Sequence, residues 1–76
     1  MAQYIVIAKS KITGIETYYT GYVEQKPDGT YKVTNEWSAN PEFATLFSTY
    51  ALARNIADVF QKTNNNIEYS VFGNIQ

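Results

Sequence analysis

Residues 15–37 read IETYYTGYVEQKPDGTYKVTNEW, and the reading of this stretch decides the fold. At its centre, Pro27-Asp28-Gly29 presets a turn: proline fixes φ at the first turn position, and Asp-Gly accepts the conformations that follow. Before the turn, Ile15, Thr17, Tyr19, Gly21 and Val23 alternate with Glu16, Tyr18, Thr20, Tyr22 and Glu24. After it, Tyr31, Val33, Asn35 and Trp37 alternate with Lys32, Thr34 and Glu36. A period of two over β-branched and aromatic residues is the pattern of half-buried strands. The stretch is therefore expected to form a hairpin, with strand Ile15–Glu24 turning at residues 25–29 into an antiparallel strand Thr30–Trp37. Gly21 offers no side chain inside the first of these, which marks a bulge, a bend or the close approach of another backbone.

Upstream, Gln3–Lys9 is apolar on both parities: Tyr4, Val6 and Ala8 point one way, Ile5 and Ile7 the other. A strand covered on both faces belongs at the centre of a sheet. Downstream, Asn40-Pro41-Glu42 supplies an N-cap, a proline at the first helical position and an acid in the first turn, which predicts a short helical turn through Leu46. Ser48 can then cap a longer helix from Thr49 to about Gln61, in which Leu52, Ala53, Ile56, Val59 and Phe60 follow the helical period. The run Asn64-Asn65-Asn66 stops it, and Ile67–Phe72 alternates as a last strand before Gly73. The sum is an α+β fold, a two-layer β-β-β-α-β arrangement with a four-stranded, mostly antiparallel sheet in the order 4-1-2-3 and one main helix on one face. Ile5 or Ile7, Leu52, Ile56 and Phe60 are expected to join sheet to helix, with the Ile15, Tyr19, Val23 side of the second strand beneath it.

The chain has 76 residues, enough for a single domain over 1–76 and one small core. Its 45% hydrophobic and 16% aromatic content excludes a disordered chain. There is no cysteine, so no disulfide or thiolate zinc site can stabilise it, and a second subunit is the natural supplement: a homodimer is expected. There is no histidine either, which with cysteine removes the commonest general base, the thiolate nucleophile and the usual transition-metal ligands. Glu16 and Glu24 lie roughly 26 Å apart at strand rise, so no convergent acid pair is visible. No glycine-rich phosphate loop exists. The expectation is a protein that is not an enzyme and that takes no metal or cofactor.

A net charge of −1 argues against an electrostatic nucleic-acid binder and against binding to anionic membranes. The apolar stretch Tyr4–Ala8 is about a quarter of the ~20 residues a membrane span needs, so a cytoplasmic location is the default. The seven tyrosines are the chemical surplus of the chain. Tyrosine suits a half-exposed strand in any sheet, but a helix covers only one face, and Tyr18 and Tyr22 share a parity opposite to Tyr19. Tyr18, Tyr22 and Tyr31 are therefore candidate binding residues, and Arg54, the only arginine, is a candidate for one bidentate anion contact.

Tyr4-Ile5-Val6, Tyr18-Tyr19-Thr20-Gly21, Trp37, then Ala44, Phe47, Ser48 and Ala51, with Ile56-Ala57 beyond, make a pattern that resembles small phage-encoded accessory proteins of unassigned role. The resemblance spans most of the chain and rests on core and capping positions, so it speaks to fold and carries over no catalytic or binding residue. It implies a phage or prophage accessory factor that inhibits or modulates a host or defence protein by binding it in the host cytoplasm. The alternative is an oligomeric small-molecule binder sequestering an anionic signalling nucleotide, with tyrosine rings on the bases and Arg54 or a lysine on phosphate.

Overall fold

The computed structural model describes residues 3–73. Six strands and one α-helix follow in chain order: β1 (Tyr4–Ser10), β2 (Glu16–Tyr19), β3 (Val23–Gln25), β4 (Tyr31–Val33), β5 (Trp37–Ser38), α1 (Tyr50–Gln61) and β6 (Ile67–Gly73). A 3-10 turn, Pro41–Phe43, precedes the helix, with the Asn40 side chain accepting from the Glu42 amide. It is shorter than the turn expected through Leu46. The fold is α+β, with an antiparallel four-stranded sheet ordered β5-β2-β1-β6, a separate two-stranded sheet β3-β4, and α1 on one face of the larger sheet.

The expected order of four continuous strands is thus corrected. The last strand does lie beside the first, in antiparallel register from Tyr4–Gly73 to Ser10–Ile67. The central hairpin, however, breaks in both strands. Its turn forms as read, with Gly29 at φ 88° and the Asp28 carboxylate accepting from the Thr30 amide and hydroxyl, which holds that carboxyl below its ordinary pKa. Between Tyr19 and Val23 the chain leaves the main sheet, and it re-enters at Trp37. Gly21 sits at the bend: a Cβ there would collide with the Thr34 hydroxyl and lie 2.6 Å from the Tyr19 hydroxyl. Oxygens of Thr34 and Tyr19 stand where any other residue would carry its Cβ, so the bend at which β3-β4 departs as an arm requires glycine.

The core lies between the larger sheet and α1. Val6, Tyr19, Ala53, Ile56 and Ala57 are almost wholly inaccessible, and Ala8, Phe47 and Tyr69 join them. Phe60 and Trp37 close the aromatic centre around Tyr19, with ring centroids 5.2–5.6 Å apart. Two expected core assignments are corrected here. Val6 and Ala8, not Ile5 or Ile7, face the helix. Ile15 lies outside the strand and is 63% exposed. The helix itself starts one residue later than expected, with Thr49 as N-cap accepting from the Leu52 amide. Val59 is half exposed, while Ala57, absent from the expected face, is buried. Ala53 and Ala57 let the helix backbone approach the sheet closely, and rolling toward these two small residues turns Val59 outward.

Candidate functional site

The break in the hairpin makes a polar joint that positions the arm. Tyr19, buried among aromatic rings, donates its hydroxyl proton to the Thr34 carbonyl at 2.6 Å, with the Tyr22 carbonyl 3.0 Å away. The Thr34 hydroxyl accepts from the Tyr22 amide at 2.8 Å and lies 3.1 Å from a Glu36 carboxylate oxygen. Thr45 donates its hydroxyl to the Gly21 carbonyl at 2.8 Å. Burial pushes the Tyr19 phenol above its ordinary pKa, the hydrogen bonds to Thr34 oppose that shift, and the Glu36 charge adds to it.

Held this way, the arm lies alongside the start of the helix and leaves a cleft of about 470 Å³ against Leu46, Phe47 and Leu52, with Tyr22, Gln25 and Tyr31 on the arm side. Every residue lining it is uncharged. Tyr31 also borders the groove beyond, where Val59 stands beside Asn55 on the helix and Asp58 and Lys62 add charged groups. The outcome is an apolar strip in which Tyr22 is 78% exposed and Leu46, Val59 and Tyr31 are 51%, 50% and 41% exposed. On the outer side of Tyr22, Lys32 stands opposite Glu24 in the β3-β4 register.

The four residues singled out in the sequence do not converge. Tyr22 and Tyr31 share the cleft. Tyr18 lies on the opposite, helix-free face of the larger sheet, half-buried across from Ile7, where it lines a groove of about 290 Å³ with Ile5, Ile7, Pro41 and Phe72. The expectation that Tyr18 and Tyr22 look out on one face is corrected, because strand parity does not carry through the bend at Gly21. Arg54 stands on the helix in an i,i+4 pair with Asp58, at 3.0 Å, and lines neither the cleft nor the groove. Leu46 and Val59 were missed as surface residues. Leu46 follows a capped turn that ends early, and Val59 sits at the margin of the helical apolar arc, where a small change of roll decides exposure.

Among the described residues no group of three or more histidine, cysteine, aspartate or glutamate side chains is placed to hold a metal ion. Nor is any helix among them long and apolar enough to cross a membrane. Comparison with known proteins finds no matching family, no matching curated protein and no matching solved structure. What the arrangement offers chemically is contact: exposed aromatic and aliphatic side chains around an uncharged cleft.

Proposed function

We propose that this protein is a non-catalytic binding protein that engages a host or defence protein of a phage-infected cell through the strip Tyr22, Tyr31, Leu46 and Val59. The carrying observation is the uncharged, aromatic-lined cleft between arm and helix. Contiguous exposed apolar surface on a small protein marks an interaction site, and tyrosines anchor interfaces with few rotatable bonds to immobilise. The same cleft disfavours the anionic nucleotide reading, because a phosphate would meet no counter-charge there and Arg54 is already paired elsewhere.

The test is affinity capture from host lysate with the tagged chain and with a Tyr22→Ser, Tyr31→Ser variant, whose exposed positions should alter stability by only about 0.5 kcal/mol. The expected result is a defined protein retained by the parent chain and lost with the double variant. A thermal-shift screen with cyclic nucleotides runs beside it. Stabilisation of about 2.7 kcal/mol at a hundredfold excess over the dissociation constant would replace this proposal with nucleotide sequestration.

A further inference from the structure

The two edges of the larger sheet differ in length. At one, β5 presents two residues; at the other, β6 presents seven, with one charged residue, Glu68, and no proline. An edge of that length and composition is a template for another strand unless something blocks it. Its free groups follow from the register. The Tyr4 amide and carbonyl bond to Phe47, and the Ser10 amide bonds to Ile15, so even-numbered residues of β1 turn their backbone groups toward β2. Odd-numbered residues turn theirs toward β6, as the Lys11 amide bonded to the Asn66 carbonyl confirms. In β6, therefore, Glu68, Ser70 and Phe72 face β1, while Ile67, Tyr69, Val71 and Gly73 face outward.

The helix blocks half of that edge. Gln61, the last residue of α1, donates from Nε2 to the Ile67 carbonyl at 2.9 Å and accepts at Oε1 from the Tyr69 amide at 3.1 Å. Its side-chain amide thus takes the place of a neighbouring strand at those two groups. Beyond it the outward groups are the Tyr69 carbonyl, the Val71 amide and carbonyl, the Gly73 amide and the Gly73 carbonyl, and none has a partner among the described residues.

The first four of these groups are self-complementary. We propose that β6 pairs antiparallel with β6 of a second copy about a two-fold axis at Val71, joining two four-stranded sheets into one continuous sheet. In that register each Val71 amide donates to the Val71 carbonyl across the axis, and each Gly73 amide donates to the opposite Tyr69 carbonyl. Every donor left open by Gln61 meets an open acceptor, and the Gly73 carbonyl, which comes to face the Tyr69 amide, shares that amide with Gln61 Oε1 or displaces it. Gly73 stands opposite Tyr69 and brings only its backbone, with no side chain, against the Gln61 amide. On the helix-free face, Phe72, 56% exposed, stands opposite Ser70 of the second copy, and the two Phe72 rings lie on a diagonal of about 7–8 Å, within aromatic reach.

The test combines analytical ultracentrifugation with amide hydrogen exchange, using the full chain and a synthetic chain bearing N-methylated Val71, which removes one donor and no side chain. The full chain is expected to dimerise, with exchange at the Val71 and Gly73 amides slowing as protein concentration rises. N-methylation should raise the dimer dissociation constant roughly a hundredfold or more, since both copies lose a bond and gain a steric block. A full chain that stays monomeric at millimolar concentration overturns the proposal. So does exchange at those two amides that is independent of concentration, a measurement that stands even where the methylated chain fails to fold. A dimer that survives N-methylation but is lost with Tyr18→Ser places the contact on the sheet face instead and equally refutes edge pairing.

Discussion

The four-stranded body and the β3-β4 arm are built from the same alternating aromatic and β-branched chemistry, yet they are held by different forces. In the body, one helix and one sheet face remove Val6, Tyr19, Ala53, Ile56 and Ala57 from water almost completely. In the arm, no residue of either strand is buried, and only Val23 and Val33 reach the core. What keeps the arm in place is a set of hydrogen bonds converging on Thr34 and Gly21. A region fixed by a few bonds opens more easily than one fixed by buried area, so the two tyrosines of the proposed contact surface belong to the part of the chain that opens more easily, while Val59 belongs to the helix. The arm's position is set by a residue, Tyr19, that belongs to the most stable part.

The largest expected effect comes from the body. Ile56→Ala removes a fully buried side chain next to two alanines that cannot fill the space, and should cost about 2–5 kcal/mol of global stability. Calorimetry should show a single transition moved down by ten degrees or more, at roughly 4–8 °C per kcal/mol for a domain of this size. An unchanged melting temperature would mean that the helix does not seat on this face, and the contrast with the arm would collapse.

Gly21→Ala is the corresponding cut at the joint. The added methyl would meet Thr34 and Tyr19 oxygens and force the arm to shift, at a cost of about 1–3 kcal/mol. Hydrogen exchange should accelerate in Val23–Gln25 and Tyr31–Val33 while β1 and β6 stay protected. Uniform acceleration across both regions would show that arm and body unfold as one unit.

How much of this was legible beforehand depended on whether local chemistry or tertiary contact decides. The Pro27-Asp28-Gly29 turn, the central β1 and the amphipathic helix are written in residue types and spacing, and each formed where those signals stand. The break at Gly21 was signalled by the glycine alone. Its consequence, a separate sheet, depends on the Tyr19 hydroxyl reaching Thr34, fifteen positions along the chain, and no alternation shows that. Ile5 or Ile7 was expected to meet the helix, but the parity of β1 puts both on the helix-free face. Val6 and Ala8 share the buried cluster with Ala53 and Ala57 instead. Tyr22 and Tyr31 were found by type; that they share a cleft with Leu46 required the arm.

The joint should also titrate. The Tyr19 phenol has a folded pKa raised above the ordinary 10.0, chiefly by burial, and Tyr69 is raised for the same reason. Above pH 10 the unfolded chain releases these protons while the folded chain still holds them, so their contribution, complete below pH 10, is lost as pH rises through the folded values. Urea midpoints should therefore hold up to pH 10 and fall above it. Tyr19→Phe should flatten that fall, with Tyr69 supplying the remainder. An equal slope in the variant would mean that Tyr19 ionises as freely as in the unfolded chain and does not lock the arm.

The smallest expected effect is at Arg54, and its smallness sharpens the assignment of the contact surface. The Arg54–Asp58 pair is one helical turn long at 3.0 Å, with side chains 40% and 49% exposed. Exposed i,i+4 pairs contribute about 0.3–0.5 kcal/mol, and here the base precedes the acid, the weaker of the two orientations along a helix. Arg54→Ala should therefore lower stability by less than about 0.5 kcal/mol, should do so less at high salt, and should leave partner capture intact. Chemical denaturation at two salt concentrations, run beside the capture assay, checks all three. If Arg54→Ala instead abolished capture without unfolding the chain, recognition would centre on a guanidinium and its anion rather than on the arm's tyrosines. The apolar strip would then be a by-product of the bend at Gly21 and not the surface that the bend serves to display.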